Sequence, residues 1–524
     1  MEELINDKKI NIDMNLKNIK VNKGTCKTGN GAKWLLYVAT LSVPMAHAAA
    51  PSEQYHTLKD NLSRLITPKT SDEFKVAQMQ KLSKFSVDPS FGGDLPTVGS
   101  GRPQNTAPAA FWQNQRKLLK DAVQIAVQRN PDISQSIASL ASQNANIDVA
   151  KAGYYPQLSG GVSTGDLGKK RGRDQQWLTL SATQMLYDFG KVKSGVDTEK
   201  SKVFVDQANV LVKIDDIAFD VAQTIINIQR YQKLIQIANQ QIAGIQRIQE
   251  MANLRAKAGI SSQADPVQAQ SYLQLAQSSL IAQQSLLSQY QQHLYTLLGF
   301  DVQNVKWVIP DNYVQQSDLY AEPQFNMIPQ MIVAQAGIDV AHNQKLQTQR
   351  SNYPTIAVKG ELSQALRGRN PNTDKEGGFD SAIMLEATSQ FYQGGATSSR
   401  TRAASYAEEA AKAQVNAVYL KVLDQIRTSR EQIENKQRQI QVLAGQQATT
   451  VRTRELYQEQ YKLGTRTLVD LLNAEQSIHS ANAEVETARY DIYSSIAQYI
   501  AATGRSRQAY DLNNLKIQGF EVQP

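Results

Sequence analysis

Asp265 and Asp470 stand 205 residues apart, each six residues beyond a glycine, Gly259 or Gly464. Tyr461 and Arg466 flank the second of those glycines. Carboxylates, a phenol and a guanidinium in such a setting do the chemistry of helix ends, pairing with backbone groups that a helix leaves unsatisfied. Asp265 precedes Pro266, a place from which an aspartate can open a helix through an N-cap bond. Nothing in the chain is spaced for making or breaking covalent bonds. Beyond residue 50 the histidines are His56, His293, His342 and His479, far apart and without a His-Glu-x-x-His pair. No Gly-x-x-x-x-Gly-Lys loop occurs, and the Gly-x-Ser-x-Gly string at 161–165 falls inside a predicted strand rather than at the strand-to-helix turn of a nucleophile elbow. These absences predict a protein that is not an enzyme, with no catalytic residue, no cofactor and no metal site.

The aspartates belong to elements that are far longer than a globular domain needs. Residues 192–258 contain no proline and only two glycines, Gly195 and Gly244. Ile214, Val221, Ile228, Ile235 and Ile242 recur every seven residues. Ile217, Ala238, Ile245 and Ala252 occupy the position three residues on, interrupted by Thr224 and Tyr231. A strict heptad keeps one narrow stripe facing a partner helix, so the stretch is predicted to be coiled coil. At 1.5 Å per residue it would span about 100 Å. The beat returns 205 residues later, where Tyr419, Ile426, Ile433 and Ile440 match Ile214, Val221, Ile228 and Ile235. Tyr187 matches Tyr392, Gly259 matches Gly464, and Gly299 matches Gly504. The chain is thus an internal duplication. Each half is a long helix, a glycine turn at Gly259 or Gly464 that suits a helix C-cap, and a helix returning to Gly299 or Gly504.

A chain with 41% apolar residues and this much helix has no single thick core; its apolar surface lies in seams. The net charge of +8 would fall to about +5 without residues 1–33, which carry seven Lys and four Asp/Glu. That is too diffuse for a nucleic-acid partner, and no basic run with interleaved aromatics occurs. Residues 1–48 have the make-up of a secretory signal peptide: Lys33, an apolar run at 34–45, and Ala46-His47-Ala48 as a small-x-small cleavage site. The single cysteine, Cys26, precedes the apolar run and would leave with the leader, so it cannot carry a lipid anchor. No other window reaches about 18 consecutive apolar residues, which argues against an α-helical membrane span.

Along the chain, residues 49–110 form an N-terminal extension, with a Gly/Pro/Ser/Thr-rich, linker-like part at 91–108. The first repeat is placed at 111–310, with a helix over 111–129 and another over 132–153. A linker covers 311–322, the second repeat 323–507, and a polar tail 508–524. In each half a different period interrupts the helices. Residues 157–165 and 177–187 are predicted strands, the second with Leu178, Leu180, Ala182 and Leu186 alternating with Thr179, Ser181 and Thr183. Between them lies a charged loop with Lys169, Lys170, Arg171 and Arg173. Residues 355–366 and 379–391 repeat the hairpin, with Ile383, Leu385 and Ala387 on one side of the last strand. Strand-to-helix turns follow at Tyr187 to Gly190 and at Tyr392 to Gly394.

Strands of about 9–11 residues with one apolar face match the wall of a transmembrane barrel, though two soluble hairpins would alternate in the same way. Four strands leave two open edges, which in lipid would strand backbone groups at several kcal/mol each. Other chains would have to pair with them. Two chains would give about eight strands and little bore, whereas three would give twelve and an open lumen. A secreted coiled-coil scaffold or adhesin without a pore would share the leader and heptads but not the paired hairpins.

Residues 461–473, Tyr-Lys-Leu-Gly-Thr-Arg-Thr-Leu-Val-Asp-Leu-Leu-Asn, resemble the second-repeat tip of the TolC family of outer-membrane efflux and secretion channels. Residues 258–265, Ala-Gly-Ile-Ser-Ser-Gln-Ala-Asp, resemble its first-repeat tip, and residues 184–190, Gln-Met-Leu-Tyr-Asp-Phe-Gly, its strand-to-helix turn. The resemblance covers residues 111–504. It implies a mainly α fold with a β-hairpin portion, in which four strands per chain contribute to a twelve-stranded barrel of a homotrimer. It implies a barrel in outer membrane lipid of a Gram-negative bacterium, with a helical tunnel in the periplasm. Its implied partners are a periplasmic adaptor and an inner-membrane ABC or RND-type transporter, with type I secreted proteins or small toxic compounds as cargo. By position, Asp265 would accept a hydrogen bond from Tyr461 and Arg466 would bond near Ala264, together holding the periplasmic gate shut. Asp470 would form a ring of three carboxylates selecting cations. The sequence departs from the family pattern at Asn473, where a second aspartate ring would stand, so weaker selectivity is expected.

Overall fold

The computed structural model describes residues 116–165, 175–303, 305–310, 313–517 and 520–522. They all lie in one of the chain's two compact units, Pro68–Pro524. The predicted leader, the extension, residues 111–115 and most of the charged loop at 166–176 fall outside the described residues.

The duplication is realised almost residue for residue. The first half contains α1 (Leu119–Arg129), α2 (Pro131–Lys151), strands β1 (Gln157–Gly165) and β2 (Gln175–Tyr187), α3 (Lys191–Lys257) and α4 (Ala264–Leu298). The second contains α5 (Pro329–Arg350), β3 (Thr355–Arg367), β4 (Phe379–Thr388), α6 (Ala396–Lys462) and α7 (Leu468–Ala502). The two long helices have 67 residues each and the two returning helices 35 each. The helix predicted over 111–129 starts later. Arg116–Leu118 form a short strand that pairs in parallel with Lys306–Val308, a long-range pairing that overrides local helical pattern. The last strand is also shorter than expected and stops at Thr388.

Each long helix begins at two successive left-handed residues. Phe189 has φ 55° and Gly190 φ 83°; their counterparts Gly394 and Gly395 have φ 61° and 81°. The second residue of each pair, Gly190 or Gly395, is the N-cap, so Gly394 matches Phe189 rather than Gly190. The Asp188 carboxylate steadies the first turn by accepting from the backbone N–H of Gly190 at 2.9 Å and of Val192 at 2.6 Å. The far ends close alike. Gly259 and Gly464 lie one residue past the C-cap with φ 72° and 78°. The next residues, Ile260 and Thr465, donate back to Arg255 O and Gln460 O, the bonding of a Schellman cap.

The heptad seam faces inward as its spacing requires. Ile214, Val221, Ile228, Ile245 and Ala252 are all buried. Helix α3 packs on α1, α2, α4, α5 and α7, whereas α6 packs chiefly on α5 and α7. The second seam is correspondingly less covered: Ile426 and Ile433 are buried but Tyr419 is exposed.

The hairpins join into one antiparallel sheet ordered β1-β2-β3-β4. Val162 faces Leu178, Leu180 faces Leu362, and Val358 faces Leu385, so apolar partners share one face. On that face Leu158, Val162, Leu180, Leu362, Ile383 and Leu385 are exposed. The other face is polar: Ser159 and Ser181 hydroxyls meet at 2.7 Å, and Lys359 pairs with Glu361 at 3.2 Å. The outer edges of β1 and β4 have no strand partner within the described residues. No described helix is long and apolar enough to cross a membrane.

The main core lies where α1, α3 and α7 meet the connection between the halves and the C-terminal segment. The linker at 311–322 is anchored in it by buried Tyr313, Ser317 and Leu319. One expectation is corrected by this core. The tail expected to be polar buries Tyr510, Leu512, Ile517 and Val522, spaced too irregularly to show as a periodic face. Tyr313 and Tyr510 share a hydroxyl hydrogen bond of 2.9 Å. Beside them the Asp215 carboxyl of α3 is buried, and burial pushes its pKa up to about 7 against the pull of the Arg507 guanidinium.

Candidate functional site

A second, smaller core gathers the tips of both halves. Ile245, Ile248 and Ala252 of α3 and Ala269 and Leu273 of α4 meet Tyr461 of α6 and Leu468, Leu471 and Leu472 of α7. The predicted gate and ring residues stand on or beside this cluster, so the fold brings positions from both repeats to one end.

Tyr461 is buried, 3% exposed, and its hydroxyl has no hydrogen-bond partner among the described residues. The Arg255 guanidinium lies over its ring, 4.9 Å from the centroid, and donates to Lys462 O at 3.2 Å. Burial raises the Tyr461 pKa, and the Asp265 charge adds to the rise while Arg255 opposes it. Asp265 therefore acts on Tyr461 electrostatically, but no hydrogen bond joins the two within this chain. Nor is Asp265 an N-cap: Gln263 holds that place, without a side-chain cap bond, and Asp265 sits in the first turn of α4. There its charge still favours the positive end of the helix dipole.

Arg466 turns toward its own half rather than toward Ala264. Its Nε donates to Gln460 Oε1 at 3.1 Å, and its guanidinium lies 4.5 Å from the Tyr457 ring centroid. Ala264 N donates to Ser262 Oγ at 3.1 Å. Asp470 closes a capping box with Thr467. Its Oδ2 accepts from Thr467 Oγ1 at 2.8 Å and from Thr467 N at 3.3 Å, while Thr467 Oγ1 accepts from Asp470 N at 3.2 Å. The Thr467 hydroxyl and N–H, with Arg466 adding a smaller pull, hold the Asp470 carboxyl below its ordinary pKa. Asn473 Oδ1 accepts from Tyr272 Oη at 2.8 Å and so ties α7 to α4.

The sequence had not pointed to Arg255, Tyr457 or Tyr272. A signal for the first two was present: they stand where the repeats differ, Arg255 against Gln460 and Tyr457 against Ala252. Likewise Tyr461 faces Ala256 across the repeat, and Arg466 faces Ser261. Arg255, Tyr457, Tyr461 and Arg466 thus stand where the duplication has diverged, whereas Asp265 and Asp470 match across it.

The turn glycines and tyrosines mark the opposite end of the rods. Tyr187 and Tyr392 are exposed, and Phe189 packs between Tyr187 at 4.7 Å and Tyr353 at 5.7 Å, ring centroid to centroid. Exposed aromatics below an apolar strand face are what a membrane–water boundary collects.

Comparison with known proteins agrees with this geometry. The profile described as outer membrane efflux protein matches residues 122–300 and again 327–505. The outer membrane efflux protein BepC of Brucella suis is 21% identical over 391 residues, covering 74% of this chain and 85% of that protein. The outer membrane protein TolC of Vibrio cholerae is 23% identical over 334 residues, covering 62% of this chain and 76% of that one. The crystal structure of the outer membrane protein VceC from Vibrio cholerae superposes with a TM-score of 0.63 at 17% identity, covering 74% of this chain and 96% of that one.

Proposed function

The chain belongs to the outer membrane efflux protein family, and from that premise we propose that three copies close their sheets into a twelve-stranded barrel continued by a helical conduit for export. The observation that carries this reading is the sheet itself: four strands, one continuous exposed apolar face, and two unpaired outer edges. Strand edges in lipid must pair, and a symmetric ring of identical chains pairs β4 of each copy with β1 of the next. The unequal coverage of α3 and α6 supports the same closure. Exposed Leu275 and Ile281 on α4 and Leu420, Val442 and Leu456 on α6 then find partners on neighbouring copies.

The tips serve as the gate. In the assembly the unpaired Tyr461 hydroxyl takes Asp265 as its acceptor, Arg466 reaches toward Ala264, and three Asp470 carboxylates face one another at the constriction. No nucleotide-binding loop occurs in the chain, so energy comes from an inner-membrane transporter of ABC or RND type, reached through a periplasmic adaptor. Cargo is what that transporter delivers, a secreted protein or a small toxic compound.

The test is direct. Purified from outer membranes, the protein should run as a heat-sensitive trimer and give discrete single-channel conductance in a planar bilayer. A soluble, non-conducting product would favour the pore-less coiled-coil scaffold instead.

A further inference from the structure

Glu475 of α7 and His479, one turn on, are both more than nine-tenths buried. His479 Nε2 lies 3.2 Å from Glu475 Oε1, and Arg454 Nε of α6 lies 3.7 Å from Oε2. The carboxylate enters α3 at Gly244, one of the two positions where that helix lacks a side chain. A Cβ at Gly244 would overlap Glu475 Oε1 and stand 2.7 Å from Cδ. A mid-helix glycine is destabilising relative to alanine, so its presence here calls for a packing reason. The carboxylate supplies one.

The duplication shows that this arrangement is built once per chain. The first-half counterparts of Arg454, Glu475 and His479 are Gln249, Gln270 and Gln274, and the counterpart of Gly244 is Thr449. Gln249 and Gln270 share a neutral hydrogen bond of 2.6 Å, and Gln270 is exposed. A carboxyl peg and a glycine notch thus occur together only where α7 of the second half crosses α3 of the first.

We propose that Glu475 is a latch of the conduit: its carboxylate in the Gly244 notch fixes the register of the α6–α7 hairpin on α3, and its withdrawal accompanies opening of the tips. The notch is one residue wide. The neighbours of Gly244 on the same face of α3, about one turn away, carry the side chains of Gln241 and Ile248, so a sliding α7 meets no second notch there. The hairpin therefore has a seated state, with the carboxylate at Gly244, and a withdrawn one. This inference rests on the channel reading above and adds a positioning residue for its gate, distant from the tip bonds.

The experiment uses the full-length protein in planar bilayers, with spin labels introduced through Ile260→Cys and Leu463→Cys, exposed positions on the two tips. Gly244→Ala and Glu475→Ala should each give a severalfold rise in mean conductance and a longer, broader distance between labels. Gln270→Ala, at the repeat counterpart, should change neither. Glu475→Gln keeps the side-chain shape and loses the charge; it should give an intermediate rise and carries the test if Gly244→Ala fails to assemble. Parental conductance and label distances in both Glu475→Gln and Glu475→Ala would overturn the latch. A parent protein that forms no channel would instead remove the reading on which it rests.

Discussion

Arg255, from the first repeat, lays its guanidinium over the ring of Tyr461, from the second, at 4.9 Å. The contact fixes the phenol but satisfies only its face. The hydroxyl is left buried without an acceptor, at a cost of about 1–3 kcal/mol if nothing else pairs with it. An orphan hydroxyl beside the Asp265 charge is what the proposed assembly would satisfy.

Tyr461→Phe should therefore leave the unassembled chain no less stable, because the deleted hydroxyl makes no bond there. In assembled channels the same change combined with Arg466→Ser should raise conductance and antibiotic leakage. Thermal melting of the unassembled chain and bilayer conductance of the trimer separate the two effects. Unchanged conductance in the double variant would remove the gate assignment.

Asp470 closes a capping box and, in the proposed channel, would form the carboxylate ring; substitutions can part the two. Asp470→Ala removes the box and the proposed ring together, whereas Thr467→Ala weakens the box alone, by about 1 kcal/mol. Cation preference and block by multivalent cations should fall in Asp470→Ala and persist in Thr467→Ala. Because Thr467 holds the Asp470 carboxyl below its ordinary pKa, cation preference should survive further into acid than an unperturbed aspartate allows. Reversal potentials measured against pH decide this; equal loss of selectivity in both variants would assign the effect to the cap.

Asp215 predicts a pH dependence of the opposite sign. Its folded pKa, about 7, lies above the ordinary aspartate value of 3.8, so the folded state holds a proton that the unfolded state releases. That stabilising contribution is complete below about pH 4 and disappears as pH rises toward 7. Above that, a buried carboxylate costs on the order of 4 kcal/mol, since each pKa unit corresponds to about 1.4 kcal/mol. Asp215→Asn should raise the melting temperature at pH 8 and flatten its decline between pH 5 and 8. A parental slope in the variant would show that another group titrates.

Ile383 is 75% exposed on the apolar face of β4. Ile383→Lys should impair assembly in outer membrane fractions, since a lysine on a lipid-facing strand costs about 2–4 kcal/mol near the bilayer midplane. Ala382→Lys, one residue away on the polar face, should be tolerated. Equal yields of trimer from both would mean that the apolar face does not meet lipid.

Much of this architecture is local and could be read from spacing. Heptads from Ile214 to Ile242 determined a helix longer than any globular domain requires, and the 205-residue repeat determined that a second would match it. Gly259 and Gly464 determined where the rods end, because a left-handed residue stops a helix wherever it stands. What remained depended on residues far apart in the chain. Only the fold showed that Arg116–Leu118 leave a helical pattern to pair with Lys306–Val308, and that Tyr510, Leu512, Ile517 and Val522 belong to the core. The positions of Arg255 over Tyr461 and of Glu475 against Gly244 were likewise fixed by tertiary packing. Periodicity reports which side of an element is buried, but not which residue of a distant element lies opposite. That choice is made by how two helices cross, and no single segment of sequence encodes it.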